Sequence, residues 1–302
     1  MSFIQKDREE NSPYLQLLMI IFYALLGLLV CIIIAFGVAF AIYGKELFSN
    51  PDALQFTSIE YRPIFQLFLF AQSVGLFLVP AYLLSLTEGR PLNRFYGLKA
   101  PSIKMIGLVV IIMVVSAPLM EWSALINQKM ALPGFLKGLE QWMKESEEAL
   151  KQTTLLLLKM DTIADFLLNL FLVALVAAVS EEFIFRGAIQ RTLTRLFRSS
   201  HAAIWVSAFV FSAIHMQFYG FLPRFMMGVG FGYLYVWTGS LWYSIIAHFL
   251  NNAVAVCQAW YMQRNNIPLT EADNTAHFAW YGYLISFILT LLAFQIFKKQ
   301  AK

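Results

Sequence analysis

Residues 14–43 run for thirty positions without one charged side chain, and seven further stretches of the chain are predominantly apolar. A spanning helix needs about 20 mostly apolar residues, and in lipid only helices and closed barrels satisfy their own backbone groups. The further stretches are 63–86, 103–125, 162–197, 201–216, 222–237, 241–262 and 278–297. Only 13% of the 302 residues are charged, against about a quarter in a soluble domain. These features predict an all-α, polytopic membrane helical bundle of about eight transmembrane helices, embedded in the lipid bilayer.

Local signals refine this. Ser12-Pro13 reads as a helix start, and Pro80 and Pro118 as points of interruption. Gly228, Gly230 and Gly232 permit close helix contact. The segment 135–151 is of another kind. There Phe135, Leu136, Leu139, Trp142, Met143 and Leu150 recur at helical spacing opposite Lys137, Glu140, Lys144, Glu147 and Glu148. That pattern predicts one interfacial amphipathic helix, or a solvated helix packed on the bundle. The chain divides into residues 1–160 (N-terminal spans and the interfacial helix), 161–262 (a chemistry-bearing core) and 263–302 (a last span and basic tail).

The formal charge is +4, and its distribution suits a membrane surface rather than nucleic acid. On one side fall Lys6, Arg8, Arg90, Arg94, Lys99, Lys104, Arg191, Arg195, Arg198 and the terminal Lys298, Lys299 and Lys302. The short loops opposite offer Lys45, Arg62, Arg224 and Arg264. The positive-inside rule then predicts a multi-pass cell-membrane protein with both termini cytoplasmic. Cys31 and Cys257 lie inside apolar runs, which argues against disulfides or a cysteine zinc site. The first apolar run lacks a small-residue cleavage pattern and reads as a retained helix. No internal repeat suggests an inverted-repeat transporter.

Against this apolar background a few ionisable residues stand out. Charges inside lipid are expensive, so such residues are functional candidates. Glu181 and Glu182 are adjacent and point about 100° apart on a helix, so they are expected to face different partners. Glu182 precedes Arg186 by four residues, the spacing and order of a favourable helical ion pair. Glu181 has Phe185 in the equivalent place and is left free for chemistry, as a desolvated general base. His215 follows Phe211 by one turn, and Asn252 follows His248 by one turn. One carboxylate, two imidazoles and a carboxamide can ligate a divalent metal such as zinc, whose bound water attacks a carbonyl. Alternatively Glu181 and His215 activate water directly, with His248 and Asn252 donating to the oxyanion. Each motif alone also has a purely structural reading: a packed histidine, an ion pair that staples helices, an interhelical asparagine.

The ordered set Glu181-Glu182-Phe-Ile-Phe-Arg186, Phe211-Ser-Ala-Ile-His215 and His248-Phe-Leu-Asn-Asn252 resembles the EExxxR, FxxxH and HxxxN motifs of the CPBP intramembrane proteases. That family, also called Abi or CAAX-protease and bacteriocin-processing, includes Rce1-like endopeptidases and lysostaphin-resistance protein A-like proteins. The likeness covers residues 180–256. It implies an intramembrane endopeptidase, conventionally grouped with metalloproteases. Glu181, His215, His248 and Asn252 would be catalytic, with Glu182, Arg186 and Phe211 supporting. Glu181, His215 and His248 are the candidate ligands of a divalent metal, and a metal-free glutamate-dependent mechanism is the other implied form. The partner would be a peptide or membrane-associated protein substrate. A non-proteolytic membrane scaffold of the same family, or a proton-coupled transporter using Glu181 and His215, are the alternatives from other classes. One geometric condition applies. A helix entering lipid at Thr162 would carry Glu181 about 28 Å along its axis, missing His215 about 20 Å along the next. The fourth helix is therefore expected to begin outside the hydrocarbon, with Glu181 at mid-depth beside a water-filled cavity.

Overall fold

The computed structural model describes residues 9–49, 59–271 and 277–301; Lys6, Arg8 and Lys302, counted above in the charge bias, lie outside them. Every regular element among the described residues is helical. The long helices are α1 (Pro13–Tyr43), α2 (Ile59–Thr87), α3 (Ile103–Gln128), α4 (Lys137–Leu157), α5 (Ile163–Phe197), α6 (Ser200–Ala213), α7 (Phe221–Thr238), α8 (Trp242–Arg264) and α9 (Trp280–Gln300). The chain is an all-α membrane helical bundle and an integral membrane protein.

Rods stand at all eight expected positions. Among the described residues, α1, α2, α3, α5 and α9 are each long and apolar enough to cross a membrane. Helix α6 has 14 residues. Helices α7 and α8 fall short in apolarity because they carry Arg224, His248, Asn251, Asn252 and Gln263. Helices that face the protein interior and bear its polar groups do not need an apolar surface all round.

Capping explains where the rods begin. The Ser12 hydroxyl accepts the Leu15 amide at 3.3 Å, with Pro13 in the first turn. Thr162 and Asp165 cap α5 reciprocally, and Arg62 of α2 pairs with Asp165. In α3, Pro118 breaks the ladder and Ser286 of α9 repairs it. Its Oγ donates to the Val115 carbonyl (2.6 Å) and accepts from the Leu119 amide (3.1 Å). A hydroxyl inserted in this way satisfies backbone groups that lipid cannot.

Helix α5 is the axis of the bundle, packed by α1, α2, α6, α7 and α8, while α3 pairs with α9 and closes on α7 and α8. Helices α1 and α2 cross at Gly27 and Gly75, where a Cβ on Gly27 would lie 2.3 Å from the Gly75 carbonyl oxygen. The amphipathic helix α4 extends to Leu157, past the expected end at residue 151, and buries only Met143 and Leu157. Its Phe135–Leu139–Trp142 stripe is exposed, as an interfacial helix requires. Trp142 also packs 5.4 Å from Phe218, and Glu147 accepts the Tyr219 amide at 3.0 Å, so α4 rides on the turn joining α6 to α7.

With 35 residues, α5 is about 50 Å long, against a hydrocarbon core of about 30 Å, so part of it lies outside the lipid. Its winding widens to π-type turns at Leu170–Val176 and again at Phe183–Gln190, either side of Ala177–Glu182. Such turns often mark functional sites. The helix ends at Arg198 in the left-handed region (φ 53°), and Ser199 caps α6. Glu181 lies seventeen residues before Arg198 and His215 seventeen after it. Measured from this hairpin rather than from Thr162, the two side chains arrive at the same depth.

Candidate active site

The innermost layer is an ion pair. Glu182 is wholly buried and Arg186 is 1% exposed; Arg186 Nη1 donates to Glu182 Oε1 at 2.8 Å. Arg186 Nη2 donates to the Gly228 carbonyl at 3.1 Å, and one turn on Gln190 donates to the Gly232 carbonyl at 3.2 Å. Gly228 lets α7 approach α6 closely: a Cβ there would sit 3.0 Å from that of Ala208. Phe211 and Phe231 present their faces to the guanidinium, at 4.6 and 5.5 Å. The charge is thus paired, hydrogen-bonded and stacked, which a buried ion requires.

His248 joins this pair to the outer layer. Its Nδ1 is 2.8 Å from Glu182 Oε1, and its Nε2 is 3.7 Å from Glu181 Oε2. The expectation that adjacent glutamates face different partners is therefore corrected. An imidazole has two nitrogens on different edges, and it spans the angle between the two carboxylates. Phe231 stacks on the ring at 5.4 Å. From α6, His215 Nδ1 is 2.7 Å from the Phe211 carbonyl and its Nε2 is 3.9 Å from Glu181 Oε2.

These contacts assign the tautomers. A carbonyl and a carboxylate only accept, so each Nδ1 carries the hydrogen, and in the neutral ring each Nε2 presents a lone pair. Three acceptors, two Nε2 atoms and Glu181 Oε2, then face one another. Glu181 Oε2 is buried without a hydrogen-bond partner from the protein. Such a triangle calls for a donor or a cation between its members, and a polar contact wider than about 3.5 Å is the span a water bridges. Zinc bonds of about 2.0–2.1 Å to N and O would bring neighbouring ligand atoms to about 3.3 Å in a tetrahedral site. The observed spans are wider, and no trio of His, Cys, Asp or Glu among the described residues has metal-ligand placement. His215 is 28% exposed and His248 7%, so solvent approaches from the His215 side.

Asn252 stands apart from this triangle. Its Nδ2 donates to the Val173 carbonyl in the wide-wound part of α5 at 3.1 Å, which leaves one amide hydrogen uncommitted. Asn251, expected to face away, donates to Asn252 Oδ1 at 3.2 Å. Arg224 is the residue that sequence reasoning missed, having been counted as a loop charge. It lies in the first turn of α7, held by Gln217, within electrostatic reach of Glu181, His215 and Glu147. Its place nine residues after His215, across a short turn, was the available signal. A large cavity of the bundle, about 1060 Å³, is mostly apolar and lined by α3, α6, α7, α8 and α9; Glu181, His215 and His248 do not line it. It is not the wet chamber expected beside Glu181.

Residues 163–254 match the family of type II CAAX prenyl endopeptidase Rce1-like proteins. The chain is 31% identical over 94 residues to the uncharacterized protein YpbD of Bacillus subtilis (strain 168), covering 30% of this chain and 45% of that protein. It is 31% identical over 121 residues to the membrane-embedded CAAX protease MroQ of Staphylococcus aureus (strain USA300), covering 38% of this chain and 47% of that protein. The chain thus spans about half the length of the curated relatives it matches. No solved structure matches it. The stretch that matches the Rce1-like family is also the stretch that builds the paired carboxylates and both imidazoles, so the likeness to that family lies where the candidate site is built.

Proposed function

We propose that the chain is an intramembrane endopeptidase that hydrolyses a peptide bond of a membrane-associated protein or peptide near the bilayer surface. The observation that carries this reading is Glu181 Oε2, buried and unpartnered, faced by the Nε2 atoms of His215 and His248 from two other helices. The family match over residues 163–254 supports it, since MroQ is a membrane-embedded CAAX protease.

In this mechanism a water held by Glu181 Oε2 and His215 Nε2 gives a proton to the carboxylate. Its oxygen attacks the scissile carbonyl carbon. The carbonyl oxygen gains the negative charge and takes a hydrogen bond from the free Asn252 amide hydrogen. His248 can donate there only when it carries both protons; its Nδ1–H is held by Glu182, which fixes the ring beside that oxygen. As the C–N bond breaks, Glu181 returns its proton to the leaving nitrogen, and a carboxylic acid and an amine result. Arg186 holds Glu182, which orients His248. Arg224 adds positive charge on the side from which solvent enters. Both termini face the cytoplasm in this reading.

The test compares cells expressing the wild type with cells expressing Glu181→Gln at equal protein level. New protein termini are labelled and mapped by mass spectrometry. Termini that arise with the wild type and vanish with Glu181→Gln are expected. An identical set of termini in both would leave the scaffold of the same family as the better description.

A further inference from the structure

The cavity of about 1060 Å³ that the site does not use is at the upper end of the roughly 300–1,000 Å³ typical of ligand pockets. Most of its wall is apolar, with Val114 and Met120 from α3, Phe225 from α7 and Phe287 from α9. One end is different. His201 at the start of α6 and Gln295 and Lys298 near the end of α9 converge there. Tyr233 hydrogen-bonds His201 Nδ1 at 2.9 Å, and Lys298 Nζ lies 5.5 Å from the Trp237 ring. Helices α6, α7 and α9 contain no aspartate or glutamate, so nothing on them neutralises Lys298. Tyrosine and tryptophan at a helix end are the side chains that settle at headgroup level, and basic pockets between transmembrane helices hold anionic headgroups.

A long apolar trough closed at one end by a cation and hydrogen-bonding groups has the layout of an amphiphile with a negative head. We propose that this groove binds one anionic diacyl phospholipid. Its acyl chains lie along the wall between α3, α7 and α9, and its phosphate sits at Lys298, with His201 and Gln295 as further partners. The occupant touches the back of the candidate site. Phe231 lines the groove and stacks on His248, and Asn251 lines it while donating to Asn252. This inference does not depend on the proteolytic reading.

The test is native mass spectrometry of the purified full chain in neutral detergent, titrated with phosphatidylglycerol or phosphatidylcholine. One retained phosphatidylglycerol per chain is expected, with weaker retention of phosphatidylcholine. Lys298→Gln should weaken phosphatidylglycerol about fivefold, as loss of one basic contact to an anionic lipid does, and leave phosphatidylcholine unchanged. Lys299→Gln, beside it but outside the lining, should change neither. Val114→Trp, at a side chain 66% exposed on the groove wall, should reduce both lipids while the size-exclusion profile stays that of the wild type. Equal retention of the two lipids by the wild type would overturn the proposal. So would an equal loss in Lys299→Gln, or full retention in either Lys298→Gln or Val114→Trp.

Discussion

Glu182→Gln is the sharpest probe of the buried layer. The wild-type carboxylate accepts two charge-assisted hydrogen bonds, from Arg186 Nη1 and His248 Nδ1, both at 2.8 Å. Bonds to a charged group contribute about 1.5–3 kcal/mol and neutral ones about 0.5–1.5 kcal/mol. A glutamine keeps an oxygen in place, so two bonds weaken rather than vanish, a loss of about 2–3 kcal/mol. Breaking a buried pair outright costs about 3–5 kcal/mol. Arg186 keeps the Gly228 carbonyl and the Phe211 and Phe231 faces, so the lower end applies. The expected fall in Tm in detergent is about 6 °C, using about 2–4 °C per kcal/mol for chains approaching this length. Adding Arg186→Met removes the orphaned charge and should recover about half of that loss, because an ion pair replaced whole is far less costly than one broken. An unchanged Tm in Glu182→Gln would refute the reasoning. A double variant whose loss is the sum of the two single losses would refute it equally.

Two other perturbations test the scaffold. Ser286→Ala removes the hydroxyl from between the Val115 carbonyl and the Leu119 amide; the two backbone groups can then bond each other, so the expected loss is only about 1 kcal/mol, and a drop in Tm beyond about 6 °C would contradict it. Glu10 concerns pH. Burial pushes its carboxyl up, but the hydrogen bond and charge of Arg191, with the charges of Arg195 and Arg90, outweigh this and hold it below the ordinary range. With the folded value depressed, its contribution is present above the unfolded value of about 4.3 and is lost as pH falls through the folded value. Between pH 7 and pH 3 the wild type should therefore lose more Tm than Glu10→Gln, and parallel pH curves would sink the assignment.

Much of this was legible because lipid leaves few choices. Helix positions followed from apolar run length, and the Glu182–Arg186 pair from a spacing of four. Three things were not legible, each because it depends on how rods meet. His248 touching both glutamates needed the azimuth of α8 against α5. The equal arms that bring Glu181 to His215 needed the hairpin at Arg198 as origin, although the meeting itself was expected once the fourth helix began outside the hydrocarbon. Arg224 looked like a loop charge because nothing local shows that Gln217 folds it back towards the site. Helices α7 and α8 are long helices whose polar side chains serve the interior, so their apolarity is diluted where the chemistry is.

The left-handed residue Arg198 divides the distance from Glu181 to His215 into two arms of equal length. Inserting or deleting one residue in either arm would raise or lower one side chain by about 1.5 Å and swing it about 100° round its helix. Length changes in natural relatives should therefore be absent between these two positions, or occur as matched changes in both arms. Elsewhere, in the stretch before Ile163 or after Arg264, the same registration imposes no such arithmetic, and there the lineage is free to vary in length.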